Sequence, residues 1–221
     1  MYEEKKEEQK QINDDLSEEP VKENSEKIFI IGLVSVIFII AVIVGIFFYA
    51  KNNYTPNYET YTSENQFVFT KMAGLWNTEW QRGTTLYNIH FHFNPAEAET
   101  VPIIDTGFNL TEFNEGPIYL TFDPKEGGME YTTVAAGELS FNLVRALDVE
   151  VIAACTENVT GCYDREIKTC ASNDSVIYLR EANETKILLG GAEGKCMIIQ
   201  GNQMELVRAV DKLLFMWFKI K

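Results

Sequence analysis

Apolar residues form one unbroken block early in the chain and short, interrupted runs after it. The block, residues 28–50, reads IFIIGLVSVIFIIAVIVGIFFYA, 23 residues without a charge. At 1.5 Å per residue a helix of this length reaches about 34 Å, against roughly 30 Å of bilayer hydrocarbon. It is too long for the apolar stretch of a signal peptide, an acidic segment precedes it, and Phe48-Tyr49-Ala50 supplies no small-x-small cleavage site. A core helix of a soluble domain is rarely apolar on every face for six turns. The pattern therefore predicts one transmembrane α-helix.

Beyond it the runs are short and separated by turn-rich pieces, which predicts strands at 67–70, 86–93, 101–105, 118–122, 129–134, 139–144 and 149–155. The last third is more regular, with strands predicted at 164–170, 176–180, 186–189, 196–200, 204–210 and 213–220. Gly201-Asn202 is placed as a type II′ hairpin turn, because glycine supplies the positive φ that such a turn requires. The expected fold is mainly β, an antiparallel meander forming a barrel or sandwich, preceded by the transmembrane helix. Residues 213–218 are apolar on both faces and read as a central strand, the alternative being a surface docked on a membrane or partner.

The polar segments complete the organisation. Residues 1–27 hold ten acidic and five basic side chains and almost no large apolar ones, so they predict a disordered acidic tail. Residues 51–65 read as a stalk and 66–221 as the β-rich domain. With 221 residues and a net charge of -14, the chain holds one ordinary domain and would repel a phosphate backbone, which argues against nucleic acid as a partner.

Three features bear on orientation. Lys22 and Lys27 precede the span and Lys51 follows it, a thin positive-inside signal. All four cysteines, Cys155, Cys162, Cys170 and Cys196, follow the span, as suits an oxidising compartment. So do the N-glycosylation acceptors Asn53, Asn109, Asn158, Asn173 and Asn183, five against a chance expectation of roughly one to two; Pro56 weakens the first. Together they predict a type II arrangement, with a cytoplasmic N-terminus and a luminal or extracellular C-terminal domain. On the expected meander, Cys170 and Cys196 fall at one end of the sheet and Cys155 and Cys162 flank a loop, so disulfides 155–162 and 170–196 are the pairing that crosses no sheet. The cysteine spacings lack the Cys-x2-Cys knuckles of zinc sites.

Gly74-Leu75-Trp76, before the first long strand, resembles the Gly-x-Trp motif that opens lipocalin (calycin) barrels. The resemblance covers three residues and implies an apolar ligand inside a closed barrel, with Arg208 as the late arginine that packs on the tryptophan. No second lipocalin motif accompanies it, and the pattern predicts strands, not a helix, at the C-terminal end. The other reading makes Trp76 and Trp80 core aromatics.

Candidate chemistry is sparse. His90 and His92 are the only histidines, and alternation puts both on one face of a strand, opposite Tyr87, Ile89, Phe91 and Phe93. His-x-His is a two-ligand start for a metal, with Glu97 or Glu99 as possible oxygen ligands; the plainer reading is a polar outer face. There is no Gly-x-Ser-x-Gly elbow, glycine-rich phosphate loop or dinucleotide fingerprint, so no cofactor is expected. Ala41 and Gly45 form a small-xxx-small step suited to helix–helix association in the membrane. The leading expectation is a membrane-tethered binding module for a protein or glycan in the secretory pathway or at the cell surface. A structural subunit of a membrane complex and a metal-dependent hydrolase are the alternatives.

Overall fold

The computed structural model of the chain describes residues 23–53, 58–109 and 113–221 and divides it into two compact units, Met1–Asn57 and Tyr58–Lys221. The acidic tail through residue 22, stalk residues 54–57 and the Asn53-Tyr54-Thr55 acceptor lie outside the described residues.

The first unit contains α1 (Glu23–Asn53). Its stretch Lys27–Tyr49 has a mean hydropathy of 3.2 and none of it is buried in protein. Between Ile28 and Tyr49 every large apolar side chain is 44–73% exposed, a surface that water would not tolerate and hydrocarbon does. The hydroxyl of Ser35 donates to the Gly32 carbonyl at 2.7 Å, satisfying the one polar group in mid-run. The helix is long and apolar enough to cross a bilayer once.

The second unit is a mixed α/β domain and corrects the expectation of a mainly β barrel or sandwich. It opens with a four-stranded antiparallel sheet, β1 (Thr60–Thr62), β2 (Val68–Met72), β3 (Leu75–Arg82) and β4 (Thr85–Phe91), in chain order. β1 thus lies inside the segment read as a stalk. Ala73 and Gly74, both at positive φ, turn β2 into β3, so Gly74 is there for a tight hairpin and not for the mouth of a barrel. Phe69, Trp76, Ile89 and Phe91 fill the inner face.

After a capped turn, α2 (Pro95–Ala98), the chain enters a seven-stranded sheet. Its strands are β5 (Ile103–Asp105), β6 (Ile118–Phe122), β7 (Val151–Cys155), β8 (Glu166–Ile167), β9 (Ser175–Glu181), β10 (Lys186–Gly190) and β11 (Cys196–Gly201), in the spatial order β5-β10-β11-β9-β6-β7-β8. From β11 to β8 all neighbours are parallel, so the expected meander is not formed. Parallel neighbours need crossovers, and α3 (Met129–Leu147) is the one that joins β6 to β7.

Two segments predicted as strand pairs are helices. Residues 129–134 and 139–144 belong to α3, which buries Thr132, Ala135, Leu139, Asn142, Leu143 and Ala146 at helical spacing. Residues 204–210 and 213–220 fall largely in α4 (Met204–Phe218), with Gly201-Asn202 leading into its first turn instead of a hairpin. One side of α4 meets the four-stranded sheet, where the Phe215 ring lies 4.5 Å from Phe91 and Phe218 lies 4.9 Å from Trp80. Elsewhere it packs on β9, β10, β11 and α3. Its less buried positions Glu205, Arg208, Lys212 and Met216 recur every three or four residues and mark one outer side, while most of the rest of the helix is covered.

The lipocalin resemblance does not extend to this architecture. Arg208 sits on a helix, where it pairs with Glu205 and reaches Thr100 at 3.3 Å. The cation over the Trp76 ring is Lys71, 5.0 Å from its centroid.

Candidate functional site

The two histidines leave β4 toward α3. His90 Nδ1 lies 2.5 Å from the amide oxygen of Asn77, its cross-strand partner, and its ring stacks on Phe141. Two residues on, His92 Nδ1 lies 2.5 Å from Glu138, whose other oxygen accepts the His92 backbone N–H at 3.2 Å. The strand's polar edge is thus covered by a helix: Glu138 takes the N–H of His92, and Arg145 donates to the Asn88 carbonyl at 3.2 Å. The imidazoles have separate hydrogen-bond partners, Asn77 for His90 and Glu138 for His92. Glu97 is engaged in the α2 capping box. Among the described residues, no group of three His, Cys, Asp or Glu side chains is arranged to hold a metal ion.

His92 and Glu138 meet a third group, Asp211 of α4, which is fully buried and accepts the Phe93 backbone N–H at 2.8 Å. Burial, then the charge and hydrogen bond of Glu138, push the Asp211 carboxyl well above the usual carboxylate range. Its Oδ1 has no conventional donor, because it faces another carboxyl. Asp211 thus favours its protonated form beside Glu138. The hydrogen bond to Glu138 holds the His92 imidazole above its ordinary pKa, against the opposing pull of burial. The result is a three-part proton-holding junction tying β4, α3 and α4 together. Among the described residues, no serine, threonine or cysteine side chain is hydrogen-bonded to it.

Open α/β sheets take ligands outside the carboxyl ends of their parallel strands. Here those ends are filled from within. Glu181, at the end of β9, accepts the Gln203 N–H that opens α4 at 3.0 Å. Glu126 accepts the Tyr178 hydroxyl and the Glu181 N–H, both at 3.0 Å. Burial and Glu126 push the Tyr178 phenol upward, so it stays a donor. Gly128, at φ 73°, begins α3 beside the same carboxylate, where a Cβ would lie 2.1 Å from Glu181 Oε1. The chain's own acids occupy the position in which a helix N-terminus would receive an anion. A groove of about 750 Å³ lies elsewhere, along α4 between Tyr61, Pro95, Glu99, Lys212, Met216 and Lys219, and includes none of the junction residues.

The sulfurs pair as Cys155–Cys162 and Cys170–Cys196. Cys170 and Cys196 come together because β9 and β11 are parallel neighbours and both cysteines lie at their amino ends. Asn158, Asn173 and Asn183 are exposed, the last two at opposite ends of β9. Asn109 is half-buried, and the rest of its acceptor motif lies outside the described residues.

The remaining feature is the outer face of α3, which sequence alternation did not reveal. Val134, Phe141 and Val144 are 38%, 49% and 52% exposed, and Leu86 on the adjoining strand is 57% exposed. Comparison with family models, curated proteins and solved structures returns no match.

Proposed function

We propose that the protein is a single-pass type II membrane glycoprotein whose α/β domain is a binding module, not an enzyme, in the secretory pathway or at the cell surface. The observation that carries the reading is the outward stripe of α3. Three large apolar side chains stay 38–52% exposed on one solvent-facing helix surface, and such patches mark contact surfaces. Two disulfides and three exposed acceptor asparagines favour an oxidising, glycosylating compartment for the domain. Ala41 and Gly45 suit association of the span with another helix.

Two measurements test the reading. Enzymatic removal of N-glycans from the full-length protein should collapse several gel bands to one; a domain left unglycosylated and open to protease from the cytosolic side overturns the orientation. A photoreactive phenylalanine analogue placed at Phe141 of the full chain, in its own membrane, should give an adduct of higher mass that the same group at Gln81 does not. No adduct from position 141 would end the binding-module reading.

A further inference from the structure

On α3, Glu130, Val134, Gly137, Phe141 and Val144 follow one another at intervals of three or four residues, with Arg145 beside the last. At 100° per residue they occupy a stripe about 100° wide. The stripe lies opposite the buried face that Ala135, Leu139, Asn142, Leu143 and Ala146 turn to the core.

At its centre is Gly137. Glycine in a helix interior is unfavourable, and a Cβ built here meets nothing within 4 Å. Nothing in the chain's own packing calls for a glycine. What it provides is close approach for another backbone.

Two pairs in the stripe are set symmetrically about its middle. Glu130 and Arg145 stand equally far from the midpoint between residues 137 and 138, and so do Val134 and Phe141. A second α3 laid antiparallel sets Glu130 against Arg145 at each end and Phe141 against Val134, with the two glycines at the crossing. A parallel copy would set Glu130 on Glu130 and Arg145 on Arg145. Arg145 is held at the stripe's edge, 5.2 Å over the Phe141 ring and bonded to the Asn88 carbonyl, and a guanidinium keeps further donors for a carboxylate.

From this self-complementarity, and resting on the reading of α3 as a docking surface, we infer that the partner is a second copy of this chain, bound through an antiparallel α3–α3 contact about a two-fold axis. Such an interface is isologous, the commonest kind in homodimers. α3 has 19 residues and spans about 28 Å, so the contact is modest in area. Two copies carrying their own spans in one membrane meet at a raised effective concentration, which offsets that modest area.

The test is sedimentation equilibrium of the full-length, disulfide-intact chain in density-matched detergent, with thermal melts to confirm that each variant is folded. The wild type should dimerise. Gly137→Leu, which fits the monomer but blocks the crossing, and Glu130→Arg, which sets like charges together, should each weaken association about tenfold or more. Combining Glu130→Arg with Arg145→Glu should restore it. Should Arg145→Glu prove unfolded, Glu130→Gln decides: it should weaken association less than Glu130→Arg does, and equal effects overturn the pairing. A monomeric wild type, a double variant that stays weak while folded, or a dimer indifferent to all these changes also overturns the inference. If position 141 crosslinks only to a protein of different mass, the second copy is wrong and the binding module stands. If it crosslinks to nothing, both fall.

Discussion

α3 and α4 are neighbours of similar length packed against each other, yet α4 buries most of its large apolar side chains and α3 leaves several of its own outside. α4 buries Leu206, Val207, Ala209, Val210, Leu213, Leu214, Phe215 and Phe218, so most of its apolar content is used within the domain, with Met216, 43% exposed, as the exception. α3 buries one stripe and leaves Val134, Phe141 and Val144 in solvent. Equal hydrophobicity therefore has different meanings. In α4 it is packing, and in α3 part of it is surplus that only a contact outside the chain can use.

The largest test of the contrast is Phe215→Ala, which empties a position between two aromatic rings, Phe69 and Phe91, and should cost about 3–5 kcal/mol in a chemical-denaturation experiment. Phe141→Ala should cost less than about 1 kcal/mol in the same assay. Equal losses would erase the distinction between the helices.

Next comes the junction that joins them. Asp211→Ala strands the Phe93 N–H and the Glu138 carboxyl and should cost about 2–3 kcal/mol. Asp211→Asn keeps an acceptor for Phe93 and a donor for Glu138, so it should cost clearly less. A similar loss for both would mean that the proton on Asp211 is irrelevant.

The same junction sets a pH dependence. His92 and Asp211 both have folded-state pKa values raised above their ordinary ones. The folded state then holds protons that the unfolded chain releases, and each contribution is lost as pH rises through the folded value. Asp211 begins to oppose folding above its ordinary value of 3.8, and the His92 contribution starts to fall above 6.5. The melting temperature should decline from mildly acidic to alkaline pH, less steeply in Asp211→Asn; a rise across that window would refute the assignment. Smallest of all, Gly137→Ala should raise monomer stability by up to about 1 kcal/mol, since the Cβ meets nothing. A loss instead would show that something already packs there.

The sequence locates β4, β6 and β9–β11 well because their apolar alternation and flanking turns are local properties. It misplaces α3 because 139–144, Leu-Ser-Phe-Asn-Leu-Val, alternates like a strand, whereas Asn142 is buried and Phe141 exposed. An outward phenylalanine and an inward asparagine invert the usual amphipathic reading. α4 is missed although Glu205, Arg208 and Lys212 recur at helical spacing, because its apolar run 213–218, taken alone, reads equally as a buried strand. The disulfide pairing is recovered although the meander behind it does not exist, because antiparallel and parallel arrangements both bring residues 170 and 196 to one end. Of the junction, His92 is visible, but Glu138 and Asp211 meet it only through the two misread helices. A sequence signal for Asp211 was present: a lone acid inside the otherwise apolar run of 206–218, interrupted besides only by Arg208 and Lys212.

The position of α4 in chain order also bears on biosynthesis. Every strand of both sheets is made before residues 204–218. Until those residues emerge, Phe69, Phe91, Ile177 and Ile199 have lost water's tolerance without gaining their cover. The nascent domain thus accumulates two half-covered sheets and closes them in a single late step, making the interval before α4 arrives the time when chaperones matter most and when an interrupted translation product would aggregate.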